Sequence, residues 1–377
     1  MGVDPLARGL AAASARSANT RALVSALRDN ACFPRPLALC PAADVLTFAL
    51  GAQNAVSTIN GNATGAANVP LSDGRVQWLA GCGLQNVNNR WTARGGAGGG
   101  GGRYAFYTAF EFLFSGSEFE LSFAGSFYGG TDNLRILVDD VVAGVTSVPW
   151  NVGQNWYVKC TFPGARSRRI RVEGTGGTWK GINVADPSQV KATGRRYPLA
   201  TLLGDSFAEG SGDPTKYDGE AVVALRALGL NVGVAAVGGT GVLNNGTTNL
   251  AWHATERLRD LTLDGVIDEI KDVPLVPALG VVCMSVNDQG LNSTWWGPYG
   301  TDLQSGIHNR LCYMIDEWVA KRGGKPLVLI GPTWPSGPPN NRPTLDIYRI
   351  RDATQHAAAN AARANVWFID RLMPHYR

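Results

Sequence analysis

Two kinds of hydrophobic pattern divide the chain. Between residues 31 and 195, apolar and polar residues alternate in short segments separated by Gly, Asn, Asp and Pro. In the segment 104–114 the aromatic residues occupy mainly the even positions, and in 118–123 Phe119, Leu121 and Phe123 alternate with polar residues. Because successive side chains of a strand point to opposite faces, period two predicts half-buried strands. Its repetition over several segments predicts an antiparallel, jelly-roll-like β-sandwich.

From residue 196 to residue 377 the pattern changes to continuous apolar runs that alternate with helical segments. The expected strands are Leu199–Leu203, Val232–Val237, Val281–Val286, Leu327–Ile330 and Val366–Ile369, and the expected helices are Ala221–Leu228, Ile307–Lys321 and Asp346–Ala364. Strands without alternation are buried on both faces, as in a parallel sheet covered by helices. The pattern therefore predicts an α/β domain that begins near Gly194–Tyr197.

The first thirty residues form a third region. Asp4 suits a helix N-cap and Pro5 the first helical position, so residues 4–29 are expected to form one helix. Its apolar stripes are short, which favours a role in attachment or assembly, including formation of a homo-oligomer or a larger particle. The expected organisation is a helix over 1–30, a β-sandwich that binds carbohydrate over 31–195, and a catalytic domain over 196–377.

Composition narrows the class of protein. The chain has 377 residues, of which 45% are hydrophobic and 17% charged, so it can bury a large core. Its 47 glycines and 11 tryptophans favour β-structure and a surface that faces sugars. The net charge of +4 is modest and the basic residues are scattered, which argues against nucleic-acid binding. The densest basic run, Arg166–Arg169, is expected on an exposed strand face.

The sequence contains no apolar run that is long enough for a membrane span, and none of signal-peptide length at its start. The expected location is a phage particle or the cell exterior, reached by a non-classical route.

The six cysteines do not suggest a metal site, because they form no C-x-x-C pair. Cys160 and Cys283 lie in apolar runs and are expected in the core. Cys32 and Cys40 flank a Pro-rich loop and could form a disulfide in an oxidising compartment. The sequence leaves that pairing open.

Polar residues follow the expected strands of the α/β domain. Ser206 comes after the first strand, Gly238–Gly241 after the second, Asn287-Asp288 after the third, and Asp370 and His375 after the last. In an open parallel sheet, function collects beyond the carboxyl ends of the strands. Hydroxyl, amide donors, carboxylate and imidazole together provide the groups for acyl transfer.

Each group has an expected role in that chemistry. Ser206, at a strand-to-helix junction, is the candidate nucleophile, and His375 is the candidate base that takes and returns its proton. Asp370 would orient His375, while a glycine N–H and the Asn287 amide would stabilise the oxyanion. His253 is the reserve candidate for the base. This chemistry needs no metal and no organic cofactor.

These segments resemble the four conserved blocks of the SGNH (GDSL-type) hydrolases. The matching segments are Gly204-Asp205-Ser206-Phe207, Val237-Gly238-Gly239-Thr240-Gly241, Val286-Asn287-Asp288, and Phe368-Ile369-Asp370 with His375. The resemblance implies a flavodoxin-like three-layer fold, a Ser206–His375–Asp370 triad, and an oxyanion hole formed by Ser206, Gly239 and Asn287. One departure is the last pair, because the family usually has D-x-x-H and here four residues separate Asp370 from His375.

The expected function is a serine esterase that removes acyl groups, acetyl first, from a carbohydrate. A β-sandwich before such a domain resembles some carbohydrate esterases and phage tail-associated deacetylases. Trp295, Trp296 and Trp334 lie in loops after the third and fourth strands, where they line the acyl or sugar pocket or close the core. The alternatives are a lipase or thioesterase of the same family, and a non-catalytic glycan-binding structural protein.

Overall fold

The computed structural model describes most of the chain. The described residues are 37–52, 56–61, 68–80, 84–87, 90–93, 107–127, 133–148, 155–195, 197–210, 213, 218–246, 251–268, 273–333, 343–361 and 365–372. The expected helix over 4–29 lies outside these residues, as does Cys32, the expected partner of Cys40. Within the described ranges, no helix has both the length and the hydropathy to cross a membrane.

The described residues of the N-terminal part form ten strands. They are β1 Thr47–Leu50, β2 Val69–Pro70, β3 Gln77–Ala80, β4 Leu84–Val87, β5 Arg90–Ala93, β6 Tyr107–Phe127, β7 Leu134–Val138, β8 Val141–Thr146, β9 Asn155–Asn183 and β10 Val190–Lys191. Three short 3-10 helices accompany them at Leu37–Leu39, Ala42–Asp44 and Pro187–Gln189.

The long strands β6 and β9 pair with each other around an aromatic core. Phe110 pairs with Val172 and Phe112 with Ile170, so the partner's number falls as the residue number rises, as in antiparallel pairing. The even-numbered Phe110, Phe112 and Phe114 are fully buried. Phe119, Leu121 and Phe123 are also buried in the same cluster. The expected antiparallel strands and their core face are therefore confirmed.

Part of the basic run on β9 is buried, which corrects the expected exposed strand face. Arg166 is exposed as expected and Arg169 is half-buried. Arg168 and Arg171 are 2% and 3% exposed, and Glu173 beside them is fully buried. Arg168 reaches Asp44 with an Nε–Oδ1 distance of 2.8 Å. Glu173 is bound by Arg135, whose Nε lies 2.8 Å from its Oε2. These charges are satisfied by partners distant in sequence, which a local pattern does not reveal.

In the C-terminal part, the described residues form the remaining strands and six helices. The strands are β11 Leu199–Gly204, β12 Asn231–Ala236, β13 Ile267–Asp268, β14 Val273–Pro274, β15 Leu279–Cys283, β16 Leu327–Ile330 and β17 Val366–Ile369. The helices are α1 Ser206–Glu209, α2 Glu220–Ala227, α3 Thr255–Thr262, α4 Ser293–Trp296, α5 Leu303–Arg322 and α6 Leu345–Asn360. Each expected strand and helix is present, with its ends shifted by a few residues at most.

The parallel strands lie in the order β12-β11-β15-β16-β17. Numbered by chain position, this is the flavodoxin-like order 2-1-3-4-5. Connections leave β11 and β15 toward opposite sides, so a crevice opens between the carboxyl ends of these two strands, where ligands bind in such sheets. Ser206 follows β11 and Asn287 follows β15 within a few residues. The expected α/β class is confirmed, and the topology directs both residues to the same crevice.

Two apolar clusters cover the faces of the parallel sheet. On one face α3, α5 and α6 bury side chains that include Leu258, Ile307 and Ile350. On the other face Val222 and Leu225 of α2 pack on the sheet. The second cluster also contains Leu79 and Ala109 from the N-terminal part, so the two parts of the chain share buried apolar surface.

Strand β3 joins the two parts at the level of the backbone. Its residue Ala80 pairs with Val232 of β12 in parallel, and Trp78 pairs with Phe110 of β6 on the other side. The parallel sheet therefore continues into the N-terminal strands. The domain boundary at Gly194–Tyr197 remains a prediction. Because β3 and β12 are paired, neither strand is a free sheet edge where they meet.

Candidate active site

The carboxyl ends of the parallel strands lie level with one another. Gly204 is paired with Ala236, Cys283 with Ile330, and Ile330 with Ile369, while Leu203 of β11 is paired with Val282 of β15. The residues that follow these positions therefore start from one edge of the sheet. This register brings together the segments that contain Ser206, Gly239, Asn287 and Asp370.

Ser206 lies on a tight turn between β11 and α1. Asp205 is the N-cap of α1, and its Oδ1 accepts a hydrogen bond of 2.9 Å from the Phe207 N–H. The turn is so tight that only glycine fits at position 204, because a Cβ there would lie 2.4 Å from Cβ of Ala208. Ser206 is partly exposed, and its hydroxyl makes no hydrogen bond to the residues that the structure describes. A serine held in this way is available to a substrate.

The loop after β12 lies beside Ser206. A Cβ on Gly238 would be 3.5 Å from Cβ of Ser206, and the Gly238 N–H donates to Oε2 of Glu209 over 2.8 Å. Gly239 has a φ of +78°, a conformation that favours glycine. Gly239 is exposed, and no acceptor for its N–H is found among the described residues. That N–H is a free donor next to the candidate nucleophile.

Asn287 is connected to the residue that precedes the nucleophile. Its Nδ2 lies 3.1 Å from the Thr240 carbonyl oxygen and 3.4 Å from Oδ2 of Asp205. The Ser285 hydroxyl donates to the same Oδ2 over 2.8 Å and accepts from the Asn287 N–H over 2.8 Å. The bond to Asp205 is long, so one N–H of Asn287 is held only weakly and can turn to a developing negative charge.

Asp205 is a buried carboxylate with several donors. It is 1% exposed, and this burial raises its pKa, while the hydrogen bonds from Ser285 and from backbone N–H groups oppose the rise. Through these bonds it connects the turn at Ser206 to the loop at Asn287. Its role here is positional, as its place before the nucleophile suggests.

Asp288 is buried behind the loop that contains Gly239. It is fully buried, and its two oxygens accept hydrogen bonds from the N–H groups of Val242, Leu243 and Asn244, at 2.8, 3.0 and 2.9 Å. Burial is the main cause that raises its pKa to about 6. A carboxylate and three backbone donors therefore tie the third block to the second.

Asp370 follows β17 directly, at the same edge of the sheet. It is half-buried, and its Oδ1 accepts from the Leu372 N–H over 2.8 Å. The neighbouring Arg371 contacts Glu220 at the start of α2, over 2.8 Å. His375 lies outside the described residues, so the structure locates the candidate acid but gives no geometry for the candidate base.

Both ring nitrogens of His253, the reserve base, already have partners. Nδ1 lies 2.7 Å from the Val242 carbonyl oxygen, and Nε2 lies 3.2 Å from the Tyr299 hydroxyl. Burial is the main cause that lowers the pKa of His253, so it favours the neutral ring. In that form Nδ1–H donates to Val242 and Nε2 accepts from Tyr299.

The three candidate tryptophans differ in their surroundings. Trp296 is half-buried, its indole N–H donates to the Leu291 carbonyl oxygen over 3.1 Å, and its ring packs against the cluster of α5 and α6. Trp295, its neighbour on α4, is also half-buried but does not belong to that cluster. Trp334 lies outside the described residues. Of the two that are described, Trp296 closes the core and Trp295 remains the candidate for substrate contact.

Sequence reasoning assigned no role to three residues that organise this site. Ser285 bridges Asp205 and Asn287, Glu209 holds the Gly238 N–H, and Asp288 holds the loop beyond Gly241. A signal existed for two of them. Asp288 ends the quoted segment Val286-Asn287-Asp288 and Ser285 precedes it, and polar residues at a buried strand end need partners.

Metal binding has no support in the part of the chain that is described. No three His, Cys, Asp or Glu side chains there are grouped as ligands for an ion.

Comparison with solved structures finds the same fold in enzymes that act on acyl groups. A family two carbohydrate esterase from Clostridium thermocellum, in complex with cellohexaose, has a TM-score of 0.53 at 15% identity, over 78% of this chain and 88% of that one. An acetyl xylan esterase from Butyrivibrio proteoclasticus has a TM-score of 0.51 at 12% identity, over 86% and 89% of the two chains. A salicylyl-acyltransferase from a tetracycline biosynthetic pathway also scores 0.51, at 14% identity, over 82% and 86%.

Comparison with protein-family models finds no match, and comparison with curated proteins finds none either. The matches to the three solved structures extend over 78–86% of this chain, which is more than the parallel-sheet part alone. At these identities they show similarity of fold only. The expected fold, a flavodoxin-like parallel sheet preceded by antiparallel strands, is therefore confirmed for this chain.

Proposed function

We propose that the protein is a serine esterase that hydrolyses acyl esters, acetyl esters first, on a carbohydrate. One observation carries the proposal: the Asn287 amide lies 3.4 Å from Asp205, the residue that precedes Ser206 and caps its helix. This contact joins two segments that are 82 residues apart into one site. Beside it, the Gly239 N–H is a second donor on the same edge.

The proposed reaction passes through an acyl-enzyme. Ser206 Oγ attacks the ester carbonyl carbon while His375 takes the hydroxyl proton. The carbonyl oxygen becomes an oxyanion that accepts from the N–H groups of Ser206 and Gly239 and from Nδ2 of Asn287. Collapse of the tetrahedral intermediate breaks the bond to the sugar oxygen, which takes the proton from His375. Water then attacks the acyl-enzyme by the same sequence and releases the carboxylic acid.

His375 is the preferred base for two reasons. In the sequence it follows Asp370 with four residues in between, and Asp370 lies after β17 at the same edge of the sheet as Ser206. His253 is the weaker candidate, because both of its nitrogens are engaged by Val242 and Tyr299. In this proposal Asp370 accepts from the second ring nitrogen of His375 and stabilises the imidazolium.

The substrate class rests on the similar structures and on the loops. One similar enzyme is described with cellohexaose and another as an acetyl xylan esterase. Trp295 is half-buried on α4, a few residues after Asn287, where an aromatic side chain can stack on a sugar ring. Since one similar protein is an acyltransferase, the test must also ask whether water is the acceptor.

The N-terminal strands are proposed to hold the glycan, and the expected helix over 4–29 to attach the protein to a larger particle or to a second copy. Both roles are carried over from the sequence predictions, and each needs an experiment separate from the esterase assay. Mass measurement by light scattering on the full chain and on a chain that starts at residue 31 would test assembly.

Hydrolysis of p-nitrophenyl acetate tests the reaction. Ser206→Ala is expected to lower kcat at least 1,000-fold. Without the serine hydroxyl no acyl-enzyme can form, and the base has no nucleophile to activate. Ser293→Ala is the matched control, since Ser293 is exposed at the start of α4. Equal rates for Ser206→Ala and the unsubstituted protein would exclude the esterase and favour a non-catalytic glycan-binding protein.

Release of free acid from natural esters tests the substrate class. Acetate release from a panel of acetylated polysaccharides should exceed hydrolysis of long-chain esters, because the loops around the site are rich in Gly, Asn, Thr and Trp. A preference for long acyl chains would favour a lipase or thioesterase. Acyl product formed only with an added alcohol or sugar would favour an acyltransferase.

A further inference from the structure

The loop between Val237 and Asn244 carries the Gly239 donor and is held on both sides of it. Gly238 donates to Glu209 over 2.8 Å, and Trp252 donates to the Thr240 hydroxyl and to the Gly241 carbonyl oxygen, each over 3.0 Å. Thr240 donates its N–H to the Val237 carbonyl, and Gly241 pairs with Asn244 over 2.8 Å. Gly239 itself is exposed and has no partner among the described residues. A donor on such a loop stabilises an oxyanion only if other contacts fix its position, because displacement by about 1 Å can cost about 100-fold in rate.

Asp288 adds the largest set of these contacts from one side chain, from inside the domain. Its carboxylate accepts from three consecutive N–H groups, those of Val242, Leu243 and Asn244, at 2.8–3.0 Å. The fit is tight, since a Cβ on Gly241 would lie 2.5 Å from Oδ1 of Asp288. Burying the Asp288 carboxylate completely costs free energy, and the hydrogen bonds that it accepts offset this cost.

The same residue also controls the other donor. Asp288 follows Asn287 in the chain, and the Asn244 side chain, which belongs to the loop, donates to the Asn287 carbonyl oxygen over 2.7 Å. Asn287 in turn bonds Thr240, next to Gly239, over 3.1 Å. The two oxyanion donors are therefore parts of one bonded unit with the Asp288 carboxylate at its centre.

We propose that Asp288 is a positioning residue that sets the relative placement of the Gly239 N–H and the Asn287 amide. This inference rests on the proposed function, because those two groups are the oxyanion donors of the esterase. Asp288 does not touch the substrate. It acts through the loop, so its loss lowers kcat and leaves binding of the ground state nearly unchanged.

Asp288→Asn tests the inference, because it keeps the shape and removes the second acceptor oxygen. We expect kcat for p-nitrophenyl acetate to fall about 30- to 100-fold and KM to change less than threefold. Gly241→Ala is the second variant. Its added Cβ displaces the carboxylate while Asp288 stays chemically intact, and it should give the same split between kcat and KM.

Matched controls are Asp186→Asn and Gly74→Ala in the N-terminal part. Asp186 also accepts a backbone N–H, from Ser188 over 2.8 Å, and a Cβ on Gly74 would meet nothing within 4 Å. Both are expected to keep the kcat of the unsubstituted protein. A folded Asp288→Asn or Gly241→Ala protein with unchanged kcat, or with a rise in KM alone, would overturn the inference.

Hydrogen exchange separates this inference from the proposed function. In Asp288→Asn the amides of residues 242–244 should exchange at least tenfold faster, whereas amides of β16 should not change. Faster exchange in a protein that has no Ser206-dependent activity would mean that the proposed function is wrong while the bracing by Asp288 is real. Unchanged exchange at 242–244 would refute the bracing itself.

Discussion

At the scale of single residues, the candidate site depends on polar groups that are buried but bonded. Asp205, Ser285 and Asp288 are each at most 1% exposed, and each accepts or donates hydrogen bonds within the site. An unsatisfied group at such a depth would cost about 1–3 kcal/mol, so these bonds make the arrangement specific. The exposed members, Gly239 and part of Ser206, are the groups that a substrate would meet.

Asn287→Ala should lower kcat by about 100- to 1,000-fold and change KM little, because the amide acts on charge that develops in the transition state. Steady-state kinetics with p-nitrophenyl acetate gives both constants. Asn292→Ala is the control, since Asn292 is exposed and only caps α4 through a 3.1 Å bond to the Thr294 N–H. A change confined to KM would mean that Asn287 binds the ground state and is not an oxyanion donor.

The raised pKa of Asp288 predicts a pH dependence of stability. Its pKa in the folded protein is about 6, above the ordinary value of 3.8, so the folded state binds this proton more tightly than the unfolded state. The contribution of Asp288 to the free energy of unfolding is therefore largest below pH of about 4 and falls as the pH rises to about 6. The loss amounts to about 3 kcal/mol for a shift of about two pH units.

Urea unfolding of the unsubstituted protein and of Asp288→Asn, at several pH values from 4 to 7, measures this contribution. The asparagine does not titrate, so all other groups cancel in the difference between the two proteins. The unsubstituted protein should lose stability relative to the variant as the pH rises through that window. If the free energy of unfolding changed with pH in the same way for both proteins, the Asp288 carboxyl would ionise at its ordinary pKa.

At the scale of elements, close packing explains several glycines in the strands. Gly280 in β15 is one of them, because a Cβ there would lie 2.8 Å from the Trp318 ring of α5 and 2.8 Å from Cδ1 of Leu327. Trp318 and Leu327 are both buried. The helix can approach the sheet this closely only because β15 has no side chain at that position.

Gly280→Ala should therefore destabilise the protein by about 1–3 kcal/mol, the usual cost of overpacking a core. The midpoint of urea unfolding should fall while the slope stays constant. Gly164→Ala is the control, since a Cβ there meets nothing within 4 Å, and it should change the midpoint very little. An unchanged midpoint for Gly280→Ala would mean that α5 moves away from the sheet at low cost.

The elements also show which parts of the molecule were predictable. The strand ends from Leu199 to Ile369 and the order of polar groups after them follow from local patterns, since buried parallel strands are continuous apolar runs. The burial of charged residues on β9 does not follow from local patterns. Arg171 and Glu173 alternate with apolar residues as surface residues would, and their burial depends on partners such as Arg226, 53 residues from Glu173. The pairing of β3 with β12 likewise arises from a contact about 150 residues apart in the chain.

At the scale of the whole molecule, the two parts behave as a single structure. They share the sheet through β3, and they share an apolar cluster that contains Leu79 beside Val232. A chain without residues 31–195 would expose the edge of β12 and the surface under α2. We expect such a chain to aggregate, so substitutions at the interface are the better means to examine how the parts depend on each other.

The charged contact between the parts gives the sharpest test of this dependence. Glu173 of β9 is fully buried and bonded to Arg226 of α2, and Arg135 binds its other oxygen over 2.8 Å. Glu173→Gln removes the carboxylate that buried Arg226 shares with Arg135, while Arg135 keeps its contact with Asp218 over 3.0 Å. Because this breaks a buried ion pair, it should cost about 3–5 kcal/mol. Arg226→Met should cost less, because Arg135 still neutralises Glu173, and the double variant should lose less than the sum of the two.

Hydrogen exchange under increasing urea follows the two parts separately in one sample. If the interface unites them, amides of β7 and of β11 lose protection at the same urea concentration, and both midpoints fall together in Glu173→Gln. The ion pair between exposed Arg349 and half-buried Asp346 on α6 is the control when it is broken at Arg349, because loss of a surface ion pair costs at most about 1 kcal/mol. If the urea midpoint fell only for the β7 amides, the N-terminal strands would unfold independently. The shared sheet would then be a contact between two autonomous domains.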